Sequence, residues 1–171
     1  MPFSRTTASA DTCVLSDFIA VDQLGLLLRL FPDGIWVDPS VIVELEERHG
    51  PDIRARVAAG GLTLLVERDY AFIHYAEMAE IKRTRPAMRH PDIASVVLAR
   101  KIGGTCLSSD GAVRKTCFER QIRIAGQLGC LGMCVERRMV TKRGAEALLQ
   151  TFLNNGLYLP RTDVEQFLKA N

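Results

Sequence analysis

Short apolar runs alternate with amphipathic stretches along almost the whole chain, and few architectures accommodate that pattern. The runs Ile35-Trp36-Val37, Leu62-Thr63-Leu64-Leu65-Val66 and Thr105-Cys106-Leu107-Ser108 have the length and side chains of buried strands. A short strand is also expected before Asp11 and another near residues 122–124. Helices are predicted between them, over residues 14–30, from Pro39 and Ser40 onward with Ser40 as cap, and over 70–83 and 93–101, with another from Ala112 and a helical turn running to Ala59. Strands separated by helices call for an α/β fold: a mostly parallel central sheet with helices on both faces, three layers in all. Three further helices, near 128–138, 142–154 and 162–170, form a helical tail from about residue 126. No internal repeat, low-complexity tract or long linker interrupts 1–171, so a single domain is expected.

Composition narrows the function classes. With 47% apolar and 25% charged residues the chain is ordinary globular material. Its apolar stretches are too short for a bilayer and its first residues lack a signal-peptide core, so a cytoplasmic protein without membrane contact is expected. The five cysteines include no Cys-x-x-Cys pair; Cys130 and Cys134 read as buried thiols rather than as half of a zinc site. Net charge is only +2, but residues 114–143 hold eight basic side chains (Arg114, Lys115, Arg120, Arg123, Arg137, Arg138, Lys142, Arg143) against Glu119 and Glu136. Such a basic segment serves either a polyanion or a solvated helical surface.

Ligands of parallel sheets bind beyond the carboxyl ends of the strands, so acids placed just after a strand carry information. Asp11 and Asp110 each follow a predicted strand and would emerge at one edge. Asp92 opens the helix that feeds the Asp110 strand, and Glu44 lies early in the helix after Pro39. Four carboxylates converging there suit Mg²⁺ or Mn²⁺, hard cations that prefer oxygen ligands. Taken singly, each has a structural alternative: Asp11 and Asp92 as helix caps, Asp110-Gly111 as a turn, Glu44 as one of several solvated acids.

Their joint order resembles one family. Asp11-Thr12-Cys13-Val14-Leu15 is similar to the Asp-Thr-x-x-Leu opening of PIN domains. Pro39-Ser40-Val41-Ile42-Val43-Glu44-Leu45 resembles their Pro, then Val-x-x-Glu-Leu passage. Pro91-Asp92-Ile93-Ala94-Ser95 is similar to the third acidic motif, and Asp110 stands eighteen residues further on, where the fourth acid belongs. Gly126-Gln127-Leu128-Gly129 and Asn155-Gly156-Leu157-Tyr158 resemble the tail of a subfamily often found as toxin-like proteins beside small antitoxins. The resemblance implies a PIN-like fold and a metal-dependent endoribonuclease. Asp11, Glu44, Asp92 and Asp110 would be the Mg²⁺ or Mn²⁺ ligands, with Thr12 and Ser109 hydrogen-bonding to them. Arg114 and Lys115, one turn beyond Asp110, would contact the RNA backbone. It also implies a homodimer and an antitoxin-like protein partner.

Three departures matter. The approach Thr6-Thr7-Ala8-Ser9-Ala10 is polar for a first strand, the third acid is aspartate where relatives show glutamate, and the neighbour of Asp110 is Ser109 rather than a second acid. They keep open an alternative, a catalytically weak or inactive PIN-fold module that binds nucleic acid or a partner protein. A phosphoryl-accepting α/β domain fits less well, because no acid pairs with Asp11 at the first strand.

Overall fold

The computed structural model describes residues 5–55 and 64–170. Five strands form one sheet, β1 (Ala8–Ala10), β2 (Ile35–Val37), β3 (Leu64–Val66), β4 (Thr105–Leu107) and β5 (Ile124–Ala125), in the order β3-β2-β1-β4-β5. Every neighbouring pair is parallel. The described helices are α1 (Thr12–Ala20), α2 (Leu24–Leu30), α3 (Pro39–His49), α4 (Phe72–Thr84), α5 (His90–Ile102), α6 (Gly111–Glu119), α7 (Gln127–Glu136), α8 (Lys142–Asn154) and α9 (Arg161–Ala170). Parallel neighbours need crossover connections, and helices supply them.

Alternation along the strands sends side chains to opposite faces and creates two cores. Leu107, Ala8 and Ala10 join the larger core with Phe18, Leu27, Ile35 and Leu131, while Cys106 joins the other with Ile81, Val97 and Val113. The polar, small-residue approach to Asp11 makes sense in this arrangement. β1 is the central strand, its three residues are fully buried, and Ser9 Oγ donates to the Ser95 carbonyl of α5 at 2.6 Å. Small side chains let α5 lie directly on the strand. Gly104 meets a similar constraint just before β4, since a Cβ there would stand 2.8 Å from the Thr7 carbonyl oxygen.

Several local expectations are corrected. The single helix over 14–30 is two helices, because Asp22 takes a left-handed φ of 56° and the Gln23 N–H closes onto the Phe18 carbonyl at 2.7 Å. Aspartate tolerates that conformation better than most side chains. The cap of α3 is Asp38, whose carboxylate accepts from the Ser40 N–H at 2.9 Å; Ser40 lies inside the helix. Asp92 is not a cap but a first-turn residue of α5, accepting from the Arg89 N–H at 3.1 Å. Residues 62–63 of the expected third strand, and the end of the helical turn reaching Ala59, lie outside the described residues.

The helical tail packs into the larger core instead of standing apart. Cys130, Leu131 and Cys134 of α7, Leu149 and Phe152 of α8 and Phe167 of α9 are all buried there, and all five cysteines are free. Phe152 meets Phe18 of α1 edge to face, 4.9 Å between ring centroids. Among the described residues no helix is long and apolar enough to cross a membrane. Phe152→Ala is therefore expected to cost about 3–5 kcal/mol, the usual loss for a buried phenylalanine. Urea unfolding followed by far-UV circular dichroism should still show one transition; a separate early transition for the variant would mean the tail is an independent unit.

Candidate functional site

Because all five strands run the same way, their carboxyl ends form one edge, and each is followed by a buried polar side chain. Asp11 follows β1, Asp38 follows β2, Glu67 follows β3, Ser108 follows β4, and Gln127 comes two residues after β5; none exceeds 7% exposure. Polar groups are seldom buried without partners, so the partners at this edge define what it does.

Asp11 is wholly buried and caps α1, accepting from the Val14 N–H at 3.2 Å, with the Cys13 thiol 3.5 Å from its other oxygen. Burial pushes its carboxyl up to about 6 from an ordinary 3.8. Hydrogen bonds from Ser108, the Val14 backbone and Cys13 pull it back down, and the charge of Asp92 pushes it up again. Asp92 is itself raised, first by burial and further by the charges of Asp110 and Glu44, against the opposing effect of Arg89. Asp92 thus lies within electrostatic reach of Asp11, Asp110 and Glu44.

Each acid is held by a different device. Glu44, projecting from α3, accepts from Thr12 Oγ1 at 2.5 Å and from Arg89 Nη1 at 2.9 Å. Asp110 caps α6 through the Ala112 and Val113 N–H groups at 2.8 and 2.9 Å, while its own N–H is held by Ser108 Oγ at 3.1 Å. Thr12 therefore supports a predicted acid. Ser109 instead hydrogen-bonds the Cys13 thiol and lies 3.5 Å from Gln127 Nε2, and the serine touching both Asp11 and Asp110 is its neighbour Ser108. Cys13, beside Asp11, is pushed up to about 12 by burial and by that carboxylate, which keeps it a protonated thiol.

Arg89 is the residue that sequence reasoning missed. Its guanidinium reaches Glu44 at 2.9 Å and Asp92 at 3.8 Å while remaining 58% exposed. The only hint in the sequence is the basic loop before Pro91, and nothing there names its partners. The basic segment is also divided by the fold. Arg114 and Lys115 are exposed on α6, just beyond Asp110, without an ion pair among the described residues. Arg120 pairs with Glu77 and Glu80, and Arg137 donates to the backbone carbonyls of Leu30 and Arg5, so these two hold the structure together.

A second polar group occupies the β2–β3 end of the edge. Buried Asp38 has His90 Nε2 3.4 Å away, and Glu67 pairs with Lys101 at 2.5 Å. Burial would raise the Glu67 carboxyl, but the hydrogen bond and charge of Lys101 hold it below its ordinary value. Lys101 also sits over the Tyr70 ring, 5.5 Å from its centroid. Each of these two acids has a basic side chain beside it, unlike Asp11.

The chemistry of the donor set fits a hard divalent cation, being all carboxylate around a buried, charge-poor Asp11. Among the described residues no three His, Cys, Asp or Glu side chains close on a common point. Mg²⁺ commonly takes one or two carboxylates and fills its remaining positions with water, so an open arrangement of acids suits it.

The PIN-domain family DUF3368 matches residues 8–171, and the chain belongs to it. The parallel five-stranded sheet flanked by helices agrees with a PIN-like fold, and members of the wider PIN family are typically nucleases. No curated protein matches the chain.

The buried charge on Asp11 has a measurable consequence without metal. A carboxyl raised in the folded state opposes folding once pH exceeds its unfolded value, and the full penalty is reached above the folded value of about 6. Asn at this position keeps the cap acceptor and removes the charge. Asp11→Asn should therefore stabilise the metal-free protein by on the order of 1–3 kcal/mol at pH 8. The gain should shrink as pH falls from 6 toward 4, in urea titrations at each pH. A variant less stable than wild type at pH 8 would contradict it.

Proposed function

We propose that the chain is a metal-dependent endoribonuclease, with Asp11, Glu44, Asp92 and Asp110 holding Mg²⁺ or Mn²⁺. The observation that carries this reading is the buried Asp11 at the carboxyl edge of a parallel sheet, with Asp92 in electrostatic reach of it and of Glu44 and Asp110. A divalent ion, when bound, lowers the pKa of a coordinated water and offsets charge building on the phosphate. The chain's own groups prepare that chemistry. Ser108, the Val14 N–H and Cys13 orient the Asp11 carboxylate, which would serve as an anionic ligand to the ion. Thr12 fixes Glu44 from below, and the first turn of α6 fixes Asp110. Arg114 and Lys115, exposed one turn beyond Asp110, would contact the phosphate backbone of the RNA. Phosphate contacts of that kind select a polyanion without selecting sequence.

The proposal extends to the setting. A toxin-like nuclease restrained by a small antitoxin-like protein, itself working as a homodimer, fits the resemblance of the tail. Phe72, Ile73 and Tyr75 at the start of α4 are 87%, 64% and 53% exposed, an apolar patch that a second protein chain would cover.

The test uses purified protein, RNA and Mn²⁺. Cleavage is expected for wild type and should drop at least about a hundredfold in Asp11→Asn and Asp110→Asn, no less than the loss of an outer-shell support. Wild type that never cuts, yet binds RNA with a steep salt dependence, would favour the non-cutting module instead. Cleavage surviving both substitutions would point to a contaminating nuclease.

A further inference from the structure

Arg89 lies between two of the site's acids. Its guanidinium spans Glu44 on α3 and Asp92 on α5, two acids from different elements. It does so without being buried: the side chain is 58% exposed, against 18% for Glu44 and 15% for Asp92. The contact to Asp92 at 3.8 Å is too long for a hydrogen bond, so only one of the two pairings is close. Nothing else anchors the guanidinium among the described residues, whereas its backbone N–H is held firmly by Asp92. The arm is thus fixed at its root and loose at its tip.

We infer that Arg89 is an internal counter-cation that competes with the divalent ion for Glu44 and Asp92, and that the displaced guanidinium then binds the phosphate of the substrate. The inference rests on the proposed metal-dependent reading. Two positive charges cannot share these carboxylates at close range without repulsion, so metal entry drives the arm outward. Because the arm is exposed and half-engaged, displacing it costs little. A guanidinium released at the rim of the site has the planar donor pattern that matches phosphate oxygens, which an ammonium lacks. The same residue would therefore lower metal affinity and raise affinity for the RNA backbone.

These two effects have opposite signs on mutation, and that separates them from a merely structural role. Mn²⁺ binding to the full chain would be measured by calorimetry at fixed ionic strength for wild type, Arg89→Ala and Arg89→Lys, each first checked for an unchanged melting profile. Arg89→Ala should bind Mn²⁺ roughly three- to tenfold more tightly, the scale of an exposed ion pair. Arg89→Lys should stay near wild type. At saturating Mn²⁺, Arg89→Ala should nevertheless cut RNA with a KM raised about tenfold, a loss of one charged phosphate contact. Equal or weaker Mn²⁺ binding by Arg89→Ala, with wild type binding normally, would overturn the competition and leave the nuclease reading standing. An unchanged KM would overturn the phosphate role. Failure of wild type and Arg89→Ala alike to bind Mn²⁺ would overturn both this inference and the metal-dependent reading.

Discussion

The close approach of α5 to the central strand sets the geometry on which the site depends. Ser9 and Ser95 meet at 2.6 Å through a hydroxyl and a backbone carbonyl, a contact that two branched apolar side chains would not allow. It brings the first turn of α5, and with it Asp92, into electrostatic reach of the residue that follows β1, which is Asp11. Ser95 Oγ in turn donates to the Asp92 carbonyl at 2.8 Å, so the same helical segment is tied both to the strand and to its own first turn. An apolar β1 would have made a stronger conventional core and pushed these two acids apart. The small, partly polar strand is therefore a condition of the site and not a weakness of the fold.

The acids also show why structural and chemical roles need not compete. Asp11, Asp38 and Asp110 all cap helices. A carboxylate at a helix start is stabilised by free N–H groups and by the helix dipole, which is what an ionised ligand at a buried sheet edge requires. Capping restrains a side chain without using all of its lone pairs. What distinguishes Asp11 from Asp38 and Glu67 is the surroundings. Lys101 supplies charge to Glu67, and Ser40 and His90 attend Asp38, whereas Asp11 has only neutral donors and an acidic neighbour.

Much of the fold was legible because strand and helix periods differ so clearly here, and α8 and β2 begin and end where the pattern places them. The acids were legible in order and spacing, since residues that follow parallel strands must share an edge. That rule does not discriminate, however: Asp38 and Glu67 obey it as well as Asp11 does, and only their partners tell them apart. Arg89 was not legible, because its meaning depends on α3 and α5 meeting, a contact between residues 45 positions apart. Ser108 was passed over for Ser109 because neighbouring residues on an extended segment face opposite ways, and the sequence does not say which one faces Asp11. The break at Asp22 was hidden by apolar residues on both sides that fit one continuous helix equally well.

Gly104 shows how such a site could be lost with every one of its residues intact. A single methyl group at that position would press on the Thr7 carbonyl at 2.8 Å, and a backbone oxygen cannot swing aside as a flexible side chain can. Relief would have to come from β1 and β4 shifting against each other, the two strands that deliver Asp11 and Asp110. A descendant carrying alanine there would keep all four acids in its alignment and still hold them out of register. Inheritance of the acidic signature is thus a record of ancestry, while competence depends on a clearance of a few tenths of an ångström beneath it.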